Sequence, residues 1–114
     1  MSKNEKNTNK DYALVSLLGT ITFSDVVKYD NNKKEIHNYF IMITEKYKDK
    51  EGNEKESKYS FKATQFGLKR NSLIYEKGDR VKISGFLKVN SYKNDDDEWV
   101  NQPYIMINKI DFIE

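Results

Sequence analysis

Apolar and polar residues alternate through most of this chain with a period of two. That is the spacing of a strand whose successive side chains leave by opposite faces. The pattern is cleanest in residues 77–92, KGDRVKISGFLKVNSY. Val81, Ile83, Gly85, Leu87 and Val89 share one parity, and Arg80, Lys82, Ser84, Phe86, Lys88, Asn90 and Tyr92 share the other. One face is therefore aliphatic and the other basic and aromatic. Gly78-Asp79 reads as a turn before the strand. Gly85 falls on the aliphatic side, where a missing side chain permits tight coiling.

Four more stretches follow the same rule. Residues 13–27 read as a long first strand in which Val15, Leu17, Gly19, Ile21 and Phe23 face inward. Apolar residues of both parities between Leu14 and Leu18 predict burial on two sides. One side is the interior; the other suits a subunit contact, because an uncovered apolar edge invites aggregation. Residues 30–34 form a turn by composition. Residues 36–47 form the second strand, with Tyr39, Ile41 and Ile43 inward and Asn38, Phe40, Met42 and Thr44 outward. The outward Phe40 and Met42 admit two readings, a stacking platform or an oligomer contact. A charged loop, 48–56, bends at Gly52 and leads into the third strand, 57–66. There Phe61 and Ala63 point in, and Ser60, Lys62, Thr64 and Phe66 point out. In residues 67–76, Leu68, Ser72 and Tyr75 share a helical face, which predicts a short helix or helical turn. The acidic tip 93–98 repels phosphate and lacks the alternate spacing of an EF-hand loop. Residues 99–113 form the fifth strand, where Pro103, with no ladder donor, suits an edge position.

Five strands, with that short helix or turn between the third and fourth, predict an all-β OB-fold: a Greek-key barrel of the kind that binds oligonucleotides and oligosaccharides. The domain spans 12–114. Residues 1–11 contain no apolar side chain beyond the initiator Met, so they are expected to form a disordered tail.

Composition narrows the chemistry. Charged residues make up 33% of the chain, yet the net charge is only +2. Any attraction to a polyanion must therefore come from clustering. The eight Tyr suit either stacking on a wet surface or strand formation. With no Cys and a single His, His37, neither thiolate nor multi-histidine metal sites can form. No Ser/His/Asp set or phosphate-cradling glycine loop is present, so neither enzymatic activity nor a cofactor is expected. No apolar run approaches the ~18 residues of a membrane span, and the N-terminus has no secretory signal. The expectation is a cytoplasmic protein, in a host cell's cytoplasm if it is viral.

The outward parity brings cations and rings together, as single-strand binding without base readout requires. Lys46, Lys62, Arg80, Lys82 and Lys88 supply charge, although Arg80 and Lys82 also suit a subunit contact. Phe40 and Phe86 add rings. The 77–92 segment resembles the fourth strand of bacterial and phage single-stranded DNA-binding proteins, with its K-G-(S/D)-x-V-x-(V/I)-x-G-x-L core. Leu18-Gly19 through Tyr29 resembles the family's first strand, with Val26 in place of a Pro. Gln65-Phe66-Gly67 resembles its third-strand exit, and IDFIE its closing segment.

The resemblance implies stacking at Tyr47, Phe66 and Tyr92. It implies a further stacker at Ser60, or at Tyr59 if a bulge shifts the register. Phosphate contacts fall on Lys62 and Lys88, while Asn90 stands where a basic residue is common. The resemblance also implies single-stranded DNA as ligand and a homo-oligomer, tetramer or dimer, with replication or recombination proteins as further partners. The family's acidic-tipped tail has no counterpart here, which fits a short phage or plasmid form. A protein-interaction module and an RNA-binding module are the alternatives.

Overall fold

The computed structural model describes residues 11–29, 34–69 and 71–113. The expected tail and the turn at 30–34 lie outside these, apart from Asp11 and Lys34. The alternating stretches form β1 (Leu14–Tyr29), β2 (Lys34–Lys48), β3 (Glu54–Lys69), β4 (Arg80–Lys93) and β5 (Trp99–Ile113). They close into a barrel in the order β1-β2-β3-β5-β4, which is the expected OB-fold topology. Neighbours are antiparallel except β3 and β5. Those two run parallel and pair at only two positions, Ala63 with Ile105 and Thr64 with Met106.

All five strands send one parity into the core: Ile21 from β1, Tyr39 and Ile41 from β2, Ala63 from β3, Val81 and Ile83 from β4, Ile105 and Ile107 from β5. Each fully buried large side chain of this kind contributes about 1.5–3 kcal/mol. A one-residue slip would carry a strand's whole inward set to solvent, so this burial also fixes register. Gly85 lies where β5 carries an extra residue, Asn108, between the pairs Ser84–Lys109 and Gly85–Ile107. A Cβ at Gly85 would overlap the Met106 carbonyl. The inward glycine is thus required by the close approach of β5.

Two further bulges re-aim side chains. In β1, Thr22 is extra between the pairs Ile21–Ile41 and Phe23–Phe40. It reverses the parity, so Phe23, expected inside, is 50% exposed. Its ring lies against Phe40, with centroids 5.8 Å apart. In β3, an extra residue falls at Phe66-Gly67, between the partners of Glu35 and His37. Gly67 has φ 71°, the left-handed conformation of a glycine bulge. The expected strand exit at 66 is therefore a kink, and β3 continues to Lys69.

Phe61 keeps the expected parity but is 40% exposed. Because β5 joins β3 only at Ala63 and Thr64, the residues of β3 before 63 have no second neighbouring strand to cover them.

Between β3 and β4 the expected helix does not form; residues 72–76 are coil, with a turn at 77–78. About ten residues are marginal for a helix, and tertiary bonds hold these extended. Asn71 N donates to Glu35 Oε2 (2.8 Å), and Tyr75 N donates to the Tyr39 hydroxyl (3.2 Å). Gly78 N donates to the Ile21 carbonyl (2.8 Å). Ile74 and Tyr75 pack on the core while Leu73 is exposed.

The Glu35 carboxylate also meets His37 Nε2 at 2.9 Å, and both residues are buried. Burial pushes the Tyr39 hydroxyl above the ordinary phenol range, and the bond from Tyr75 N partly offsets the shift.

Candidate nucleic-acid interface

The outer face of the barrel is built by residues of the opposite parity. Cross-strand pairing places Lys62 of β3 opposite Phe40 of β2, and Phe40 opposite Phe23 of β1. One step along, Thr64 faces Asn38, and its hydroxyl donates to Asn38 Oδ1 at 2.9 Å. One step further, Phe66 meets Tyr104 of β5 edge-on, with centroids 6.5 Å apart at 66°. Tyr104 is opposite Lys88 of β4. Two rings are thus bracketed by two ammonium groups across three strands.

Part of this row, Lys62, Thr64, Asn38, Phe66 and Tyr104, lines a groove of about 360 Å³. Lys62, Thr64 and Phe66 form one wall; Asn90, Gln102, Pro103 and Tyr104 of the β4-β5 hairpin form another; Val27, Ile36 and Asn38 complete the lining. The volume lies within the about 300–1,000 Å³ range of ligand clefts. Among the described residues, Lys46, Lys62 and Lys88 have no carboxylate within ion-pair distance. Their charge is available to a ligand.

The hairpins that flank the groove end in matching turns. Asp49 Oδ1 accepts from Glu51 N and Asn53 N, and Asn94 Oδ1 accepts from Asp96 N and Glu98 N, with distances of 2.9–3.0 Å. Gly52 (φ 85°) and Asp97 (φ 63°) occupy equivalent left-handed positions. The acidic tip is therefore a tight turn at the end of the β4-β5 hairpin, and Lys93 meets Asp97 at 3.5 Å.

The structure brings some of the sequence-derived residues together and separates others. Lys62 and Phe66 line the groove, with Lys88 and Phe40 beside its lining through their partners Tyr104 and Lys62. Tyr92, 40% exposed, shares the parity of Lys88 further along β4. Lys46 shares the parity of Phe40 further along β2, opposite Glu56. Phe86 lies toward β1, edge-on to Tyr12 with centroids 5.9 Å apart.

Tyr47 and Tyr59 lie on the other face of the β2-β3 hairpin, the parity of Ile43 and Phe61. There is no bulge in this part of β3 to turn Tyr59 outward, so Ser60 keeps the outward position. Tyr59 packs edge-on to Phe61 with centroids 5.6 Å apart and donates its hydroxyl to Glu45. That bond holds the Tyr59 hydroxyl above its usual range.

Reading the sequence missed Tyr104, Asn38 and Gln102 as groove residues, and Phe23 as an outward ring. Tyr104 was signalled by alternation with buried Ile105 and Ile107; Phe23 was hidden by the bulge. Among the described residues, no group of three or more His, Asp or Glu side chains is placed to hold a metal. Nor is any helix long and apolar enough to cross a membrane.

A five-stranded barrel with a ring-and-cation groove on the outer face of β2 and β3 defines an OB-type oligomer-binding protein. Residues 13–113 match the Single-strand binding protein family, and the chain belongs to that family. No curated protein matches the chain.

Solved structures share the fold at low identity. The SSB of Plasmodium falciparum in complex with ssDNA superposes with a TM-score of 0.76 at 16% identity, covering 93% of this chain and 98% of that one. A deletion mutant of the single-stranded DNA binding protein from Thermus aquaticus gives 0.71 at 21%, covering 89% of this chain and 50% of that one. The small single-stranded DNA-binding protein from Streptomyces coelicolor gives 0.66 at 17%, covering 91% and 96%. The chain thus spans half the length of that Thermus aquaticus deletion-mutant chain.

Proposed function

We infer that the protein binds single-stranded DNA with little dependence on sequence and shields it during replication, recombination or repair. Residues 12–114 are the binding domain. The observation that carries this is the Phe66–Tyr104 ring pair in a groove that Lys62 lines and Lys88, the cross-strand partner of Tyr104, adjoins. Ring faces stack on any base, and ammonium groups follow the phosphates. Phe40, Tyr92 and Lys46 extend the same parity beyond the groove and lengthen the track. Tyr47 and Tyr59 serve a strand that wraps over the β2-β3 hairpin to its other face. Phe86 serves the β1 side. There Leu14, paired with Phe86, and Leu18, further along β1 on the same parity, are 66% and 47% exposed, a surface suited to a second copy in a dimer or tetramer. The protein works in the cytoplasm, a host's cytoplasm if it is viral, alongside replication or recombination proteins.

Anisotropy titrations with labelled dT oligomers of several lengths test the reading, with rU oligomers and duplex DNA as competitors. Oligo(dT) binds and duplex competes poorly; log affinity falls linearly with log salt, by about 0.7 per phosphate neutralised. Lys62→Ala lowers that slope by about the same amount. Equal binding of duplex, or a flat salt response, overturns the reading. Tighter binding of rU than of dT makes RNA the ligand.

A further inference from the structure

We propose that Glu35, buried behind the groove wall, is a positioning residue for the Phe66 ring. It acts from the inner side of β2, through its pair with His37 and its bond to the chain beyond the β3 bulge. The inference rests on single-strand binding at the groove and adds to it what keeps the ring aimed.

Phe66 needs such support. Because β3 bulges at Phe66-Gly67, Ile36 of β2 alone faces both residues. A bulge disrupts the ladder and leaves its extra residue unpaired. Gly67, at φ 71°, adds the conformational freedom of a glycine. On the other flank, β5 pairs with β3 only as far as Thr64. The sheet alone therefore does not fix the ring.

Glu35 and His37 flank Ile36 in β2 and are 3% and 0% exposed. Their bond, at 2.9 Å, spans the part of β2 that faces the bulge. The second carboxylate oxygen accepts from Asn71 N at 2.8 Å and so ties the chain beyond β3 back to β2. Asn71 has φ 62°, uncommon for a residue with a side chain, and this bond helps to hold it there. Among the described residues His37 Nδ1 has no hydrogen-bond partner, so the bond to Glu35 orients the imidazole. That ring lies edge-on to Tyr39, with centroids 6.4 Å apart, and the Tyr39 hydroxyl accepts from Tyr75 N. Asn71, Glu35, His37, Tyr39 and Tyr75 thus form one chain of contacts beneath the bulge. Without Glu35 the bulge relaxes, and Phe66 leaves its edge-on place beside Tyr104.

The test is a double-mutant cycle on the full chain, read by oligo(dT) affinity. Phe66→Ala sets the ceiling, about 5- to 150-fold. Glu35→Ala alone lowers affinity about fivefold, within that ceiling. In the Phe66→Ala background the same change costs less than about twofold, because no ring remains to aim. Glu35→Leu, which removes both bonds but fills the space, repeats this pattern. Glu35→Gln, whose amide can accept from Asn71 N and donate to the imidazole, keeps affinity within about twofold of the unmodified protein. In the free proteins, NOEs between the Phe66 and Tyr104 rings weaken in Glu35→Ala and Glu35→Leu and persist in Glu35→Gln.

The inference is overturned if Glu35→Ala and Glu35→Leu leave affinity unchanged, or cost as much without the Phe66 ring as with it. Glu35→Gln binding as weakly as Glu35→Ala also overturns it, as do ring NOEs that no Glu35 variant alters. Failure of the unmodified protein to bind any oligomer overturns the single-strand reading instead, and the NOEs still decide whether Glu35 aims the ring.

Discussion

Replacing Phe66 by Ala separates a binding ring from a structural one, and the structure sets both magnitudes. Full burial of a Phe side chain contributes about 1.5–3 kcal/mol. Phe66 is 45% exposed, so its removal should cost about half of that, on the order of 1 kcal/mol. For a domain of this size that lowers Tm by about 4–8 °C. A domain stable by about 5–15 kcal/mol remains folded. The same ring stacked on a base contributes about 1–3 kcal/mol to binding, so affinity for oligo(dT) should fall about 5- to 150-fold. The control is Ile83→Val, which trims one buried methylene for about 0.5–1.5 kcal/mol. It matches the stability loss but leaves the groove intact. Calorimetry reads the first quantity and anisotropy the second. The stacking assignment fails if the two variants lose affinity equally, or if Phe66→Ala loses stability alone.

Gly85→Ala drives a methyl group into the Met106 carbonyl, a backbone atom that cannot move without breaking the β4-β5 ladder. The expected cost is about 2–3 kcal/mol, seen as a Tm lowered by roughly 8 °C or more; an unchanged Tm would refute the close approach. Glu35→Ala strips partners from both His37 and the Asn71 amide. At about 1–3 kcal/mol for the buried His37 left unsatisfied, with the exposed Asn71 amide free to turn to water, urea titration should show a loss of about 1–3 kcal/mol, with faster exchange at Asn71. Tyr39 binds its proton more tightly folded than unfolded, because burial raises its hydroxyl. Its contribution to stability is therefore fully present below pH 10, the unfolded value, and is lost as pH rises through the higher folded value. Tyr39→Phe should flatten this alkaline decline in denaturant melts; an identical decline in both proteins would remove Tyr39 from the account.

The interior was legible because alternation reports it directly. Ile41, Val81, Ile83 and Ala63 sit where the period of two places them, and so does outward Lys62. What stayed hidden depends on neighbours rather than on sequence spacing. Phe23 faces out because Thr22 is one residue too many, and an inserted residue leaves no mark on hydrophobicity. Phe61 is exposed because β5 reaches β3 only at Ala63, a fact about distant pairing. The helix expected at 67–76 rested on a spacing too short to distinguish it from an extended segment, and the bonds from Asn71 and Tyr75 decided in favour of the latter. In the groove, the residues of β3 follow from parity. The contribution of β5 requires knowing that a parallel contact brings Tyr104 beside Phe66.

That contact has a mechanical side. The ring of strands is fastened between β3 and β5 by two residue pairs, whereas its other junctions are long ladders. The groove straddles this weakest seam, with Phe66 on one bank and Tyr104 on the other. A nucleic acid strand that touches both banks binds only the closed ring, so by mass action it would reinforce this seam more than any other junction.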